Sequence, residues 1–139
     1  MDLTDTACRT LGVLGMVTRG LIASEHEEQA AFFDYLELES KRRPELALCF
    51  AVPNGQLRDI RIAKKLKAEG VRAGVPDICV PIPRGQWHGM WIEMKRTKHG
   101  TVSPEQAWWL NQLKSQGYWT AICLGWDDAK LELEKYMSV

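Results

Sequence analysis

Two short apolar runs separated by Pro83-Arg84-Gly85-Gln86 constrain this chain more than any other feature. Asp77 to Ile82 and Met90 to Lys95 are rich in strand-forming residues, and the turn between them makes them a hairpin. Three charges interrupt the pair: Asp77 at the start of the first run, Glu93 and Lys95 at the end of the second. Strand side chains alternate between faces, so Glu93 and Lys95 share a face while Met94 points away. A hairpin turning about Gly85 and Gln86 places Asp77 nearly opposite Met94, its carboxylate beside Glu93 and Lys95. Unpaired buried charges are costly, so something must balance them.

Two neighbouring carboxylates repel each other but suit a hard divalent cation that takes oxygen ligands. The backbone carbonyl of Met94 lies between them and adds a third oxygen. Lys95 then offers a positive point charge to a phosphate oxygen or an attacking water. The same three residues also fit an ordinary cross-strand salt bridge at a sheet edge.

Hydrophobic period orders the rest of the chain. Ser24 caps a helix running to about Glu39, and Leu46 to Val52 reads as a strand. Pro53-Asn54-Gly55 is a turn, followed by a basic helix from about Leu57 to Glu69 that turns Ile60, Ala63 and Leu66 inward and stops at Gly70. Ser103-Pro104-Glu105-Gln106 opens a further helix with a cap, a first-turn proline and a third-position glutamine. A strand from Trp119 to Leu124 and a helix from Asp127 to Tyr136 complete the order αβαββαβα. The 139 residues hold one core, so the expectation is a single α/β domain with a mixed central sheet flanked by helices.

On the first helix, at about 100° per residue, Gln29, Phe32, Phe33 and Leu36 share one face with Glu25. Glu28 falls at its margin and Glu27 on the opposite side. Polar groups at the open end of a core-facing stripe fit a site, and Glu25 equally suits the helix N-terminus. The formal net charge is zero, but the charge is segregated. Residues 24–39 hold six acids and no Lys or Arg, whereas 41–72 hold nine bases against three acids. A polyanion responds to local potential, so a basic face beside an acidic pocket admits a nucleic-acid partner, as it admits a plain solvated surface. Arg58, Arg61, Lys64 and Lys65 repeat at helical spacing as a phosphate-tracking stripe would, and Arg72 and Arg84 extend it, though Arg84, in the hairpin loop, equally fits a solvated turn residue. Trp87, in a loop, is placed to stack on a base, with His88 next to it; the other five tryptophans read as core or subunit interface.

No run of 18 apolar residues spans a bilayer, so no membrane partner is expected. Residues 1–23 lack the basic start of an export signal and read as an N-terminal extension of a cytoplasmic protein. Cys8, Cys49, Cys79 and Cys123 form no metal-binding spacing and read as reduced space-fillers.

Gly74-Val75-Pro76-Asp77 followed by Glu93-Met94-Lys95 resembles the PD-(D/E)XK nuclease signature. The flanks are more specific. Val52-Pro53-Asn54-Gly55, Gly70 through Asp77, His88 through Lys95 and Gly100-Thr101-Val102-Ser103-Pro104-Glu105-Gln106 resemble the VRR-NUC (virus-type replication-repair nuclease) pattern, in order. Ser24-Glu25 with Gln29 is similar to its opening helix. The resemblance covers about residues 24–137 and is nearest the small stand-alone phage and bacterial members, giving a domain over 24–139.

The resemblance implies a restriction-endonuclease-like fold and a Mg2+- or Mn2+-dependent DNA endonuclease leaving 5′-phosphates. It implies Asp77, Glu93, the Met94 carbonyl and Glu25 at the metal, and Lys95 as the catalytic lysine. Gln106 maps to the family's later glutamine, though the residue is also half of a capping box. Asn54, with Gly55, implies a phosphate path beside the basic helix; a plain turn explains it as well. The stand-alone members imply a homodimer acting on branched DNA such as four-way junctions. A sequence-specific restriction-type endonuclease and a non-catalytic DNA-binding module of the same fold are the competing readings.

Overall fold

The computed structural model describes residues 22–53 and 59–139. β2 (Ile78–Val80) and β3 (Met90–Lys95) pair antiparallel, with Ile78 opposite Ile92, Cys79 opposite Trp91 and Val80 opposite Met90. Arg84 and Trp87 close the turn around Gly85 and Gln86 with hydrogen bonds of 3.1 and 2.8 Å. Between turn and ladder, one arm holds Pro81-Ile82-Pro83 and the other only His88-Gly89. The prolines lack the N–H a ladder needs, and the extra residue shifts the register by one, as a bulge does. Carried one residue further, that register sets Asp77 across from Glu93 rather than Met94. The shift matters because one residue decides the face.

β4 (Trp119–Leu124) runs parallel to β3, with Glu93 beside Ile122 and Lys95 beside Leu124. β1 (Phe50–Ala51) pairs antiparallel with β2, so the mixed sheet has the order β1-β2-β3-β4. The strand expected over Leu46 to Val52 is mostly absent. Pro44 starts a 3-10 turn over Pro44–Leu48, since its fixed φ suits a first helical turn, and only two residues remain extended.

Among the described residues there are four helices, α1 (Glu25–Ser40), α2 (Ile60–Ala68), α3 (Pro104–Ser115) and α4 (Trp126–Met137); α1, α3 and α4 pack on the sheet, whereas α2 fully buries none of its side chains. Phe32 and Leu36 of α1 and Ala129, Leu133 and Tyr136 of α4 pack on Ile78, Val80, Met90, Ile92, Met94 and Cys123. These side chains all belong to one face of the sheet. The other face carries Glu93 and Lys95, and α3 packs there. The Asp59 side chain caps α2 by accepting from the Arg61 N–H at 2.8 Å, so the helix begins at Ile60, three residues later than the expected Leu57. Ile60, expected inward, is exposed; Ala63 and Leu66 are half-buried.

Cys79 and Cys123 are buried and Cys49 half-buried, all free. Burial pushes their thiols up, to about 12 for Cys49 and Cys123 and about 11 for Cys79. Cys8 lies outside the described residues. The two tryptophans Trp87 and Trp108 differ in cover. Trp87 packs edge to face on Trp119 at 5.6 Å against the core, while Trp108 is 57% exposed.

Candidate active site

Glu93 and Lys95 stand two residues apart on β3, and both are buried in the open-faced side of the sheet. Asp77, half-buried just before β2, turns its Oδ2 to the Met94 N–H at 2.8 Å. The N–H and C=O of one extended residue leave by the same strand edge, so the Met94 carbonyl faces the gap where β2 has ended. Lys95 Nζ lies 3.1 Å from Glu93 Oε1 and 3.9 Å from Glu25 Oε1 in the first turn of α1.

Gln106 connects α3 to this group. Its Nε2 donates to Glu93 Oε1 at 2.6 Å, while its Oε1 accepts the Ser103 N–H at 2.9 Å. Capping box and site contact are therefore one side chain, with the cap orienting the amide. Both bonds to Glu93 fall on Oε1. Glu93 Oε2 is buried and has no hydrogen-bond partner among the described residues.

A carboxylate so placed resists ionisation. Burial raises Glu93 to about 7, the Asp77 charge adds to this, and Lys95 opposes it. Asp77 is raised for the same first reason, against the pull of the Met94 N–H and Lys95. Among the described residues no three His, Cys, Asp or Glu side chains gather closely enough to hold an ion alone. The donor set that fits a hard cation is Asp77, Glu93 Oε2 and the Met94 carbonyl, with Glu25 further out. The orphaned oxygen and the raised carboxylates are what such a cation would relieve.

The sign of the pH dependence follows. Glu93 ordinarily ionises near 4.5 and near 7 when folded, so its contribution to stability is present below about pH 4.5 and lost as pH rises through 7. The melting temperature of the protein in chelator should fall by several degrees from about pH 5 to about pH 8, and added Mg2+ should recover most of it at the upper end. Thermal scans of wild type and Glu93→Gln check this, since the variant should show the smaller fall.

The three neighbouring glutamates of α1 have separate tasks. Glu27 Oε2 accepts the Ser24 N–H at 2.7 Å in a capping box. Glu28, expected at the margin, is buried, because its Oε2 accepts the Trp126 N–H at 2.8 Å at the start of α4. The buried stripe accordingly runs through Glu28, Phe32, Tyr35 and Leu36, and Gln29 is half-buried. Only Glu25 approaches Lys95.

Arg61, Lys64 and Lys65 are exposed on α2, and Arg72 is exposed with its Nη1 on the Lys67 carbonyl at 3.3 Å. Asn54 and Arg58 lie outside the described residues. Arg84, in the hairpin turn, pairs with Glu45 at 3.1 Å. His88 stands against Tyr118, ring centroids 5.7 Å apart. Arg96 and Lys98, exposed directly after Lys95, add positive charge at the rim. Nothing in the expected site included them, and the signal that points to them is the cations following Lys95.

A family model described as the VRR-NUC domain matches residues 22–127. A solved structure described as a VRR_NUC domain protein superposes with a TM-score of 0.71 at 28% sequence identity, covering 85% of this chain and 91% of that one. No curated protein matches.

Proposed function

We propose that this chain, which belongs to the VRR-NUC family, is a Mg2+- or Mn2+-dependent endonuclease acting on branched DNA such as four-way junctions, as a cytoplasmic homodimer. The family is of nuclease type, and the mixed four-stranded sheet with its helices is an α/β, restriction-endonuclease-like fold. Among the described residues no helix is long and apolar enough to cross a membrane.

The observation that carries the reading is the unpartnered Glu93 Oε2 beside Asp77 and Lys95. Asp77, Glu93, the Met94 carbonyl and Glu25 would hold the cation, which when bound acts as a Lewis acid on the phosphate. Gln106 fixes the Glu93 carboxylate so that Oε2 stays free. Lys95, held between Glu93 and Glu25, donates to the charge that builds on a phosphate oxygen. Arg61, Lys64, Lys65 and Arg72, with Asn54 and Arg58, hold the strand by its backbone phosphates, which positions DNA without reading its sequence.

One such site cuts one strand, so symmetrical cutting of a junction requires a second copy related by a two-fold axis. Single-turnover cleavage of labelled junction and linear duplex, with and without Mg2+, tests the reading. Metal-dependent cutting that favours the junction is expected, with a dimer mass by light scattering. DNA binding without cleavage in either metal would leave a non-catalytic module, equal cutting of both substrates would remove structure selectivity, and a monomer mass would remove the dimer.

A further inference from the structure

Two consecutive tryptophans on α3 form a cleft of about 310 Å³ with Ala73, Pro104 and Glu105. Trp109 is anchored, its indole Nε1 donating to the Ala73 carbonyl at 3.0 Å. Trp108 stands against it edge to face, centroids 5.5 Å apart and planes at 88°, yet remains 57% exposed. Chain continuity ties this cleft to the candidate active site. Gly74 abuts the backbone of Glu105, and the next residue, Gln106, reaches Glu93.

We propose that Trp108 is a stacking plate for an unpaired nucleobase of the DNA strand that passes Glu93, an inference that rests on the nuclease reading above. Stacking needs a bare aromatic face held still, and Trp109 braces the Trp108 ring from one side. In a duplex both faces of every base are covered by neighbours, so only an unpaired or extruded base can meet the plate.

Position favours a single strand too. At about 100° per residue Trp108 lies roughly 200° from Gln106, so the plate faces away from Glu93 across about one helix diameter, ~10–12 Å. A single strand can turn around the end of α3 over that distance. Duplex DNA, with a persistence length of about 50 nm, cannot. Charge sorts the nucleotide's two halves. Exposed Arg72 precedes Ala73, and α2 adds Arg61, Lys64 and Lys65, all attractive to phosphates. Inside the cleft Glu105 repels a phosphate, which leaves the base as the part that enters.

The test is a binding cycle in chelator, by fluorescence anisotropy, with wild type, Trp108→Ala and Trp108→Phe. The probes are a linear duplex, the same duplex with a single-stranded thymidine arm, and that arm with abasic residues. Trp108→Ala should weaken binding of the thymidine arm about 10-fold, the usual effect of one lost base stack, and leave the linear duplex within about 2-fold. Trp108→Phe should retain most of the affinity. The abasic arm should weaken wild type similarly and Trp108→Ala hardly at all. Loss on both duplex and arm alike, or the same penalty for abasic residues in wild type and Trp108→Ala, would overturn the plate. Wild-type cleavage of DNA in Mg2+ under either of those results would leave the nuclease reading standing, whereas a wild type that neither binds nor cuts DNA would overturn both.

Discussion

Glu93→Gln and Asp77→Asn should each lower single-turnover DNA cleavage by about 10²–10³-fold or more while leaving the fold and DNA affinity nearly intact. Each change removes one negative charge from a buried setting that resists ionisation: burial raises both carboxyl groups, and the Asp77 charge raises Glu93 further. In Glu93→Gln the oxygen at the Oε1 position can still accept from Gln106 and Lys95, so the local hydrogen bonds survive. The folded state should therefore be no less stable, and in chelator near pH 8 somewhat more so. What disappears is the charge proposed to hold the cation. Cleavage at the wild-type rate by either variant would remove the site assignment; a parallel loss of melting temperature would mean the carboxylates serve the fold.

Gly74→Ala should destabilise the protein by about 3 kcal/mol and lower its melting temperature by about 10 °C. Gly74 has φ +84°, a conformation L residues rarely adopt, and a Cβ there would lie 2.7 Å from the Glu105 carbonyl carbon and 3.0 Å from the Gln106 nitrogen. Backbone cannot swing aside as a side chain can, so the first turn of α3 must move. Gln106 would move with it, away from Glu93, and cleavage should fall as well. Gly70→Ala is the matched control. It has φ +99° but nothing within 4 Å of its Cβ, so it should cost only about 1 kcal/mol. Equal losses for the two, by thermal or chemical denaturation, would show that backbone strain alone acts at Gly74.

The order of elements was legible because long periodic segments and caps announce themselves. Ser24 with Glu27 and Ser103 with Gln106 both form the capping boxes their spacing encodes. Leu46 to Val52 was misread because a short apolar run looks alike as strand or buried turn, and the decisive residue, Pro44, lies before it. Asp77, Glu93, Lys95 and Gln106 were legible as a group from charge placed in apolar strands and from the surrounding motif. The division of labour among Glu25, Glu27 and Glu28 was not, since Glu28 is drawn inward by the Trp126 N–H, 98 residues away. The cover of Trp87 has the same origin. Whether a tryptophan is covered depends on which element lies across from it, and Trp87 meets Trp119.

The odd residue in the Pro81-Ile82-Pro83 arm makes the chain length between the two carboxylates a matter of parity. Without it, a strict two-residue hairpin would turn Asp77 to the face of Met94, toward the core, and no adjustment of side-chain rotamer could bring it back to Glu93. A one-residue insertion or deletion between Asp77 and Glu93 is therefore harmless to the pair where the turn or the bulge absorbs it, and turns Asp77 to the wrong face where it slips the ladder instead. Length in this hairpin is free to drift at its tip, not along its ladder.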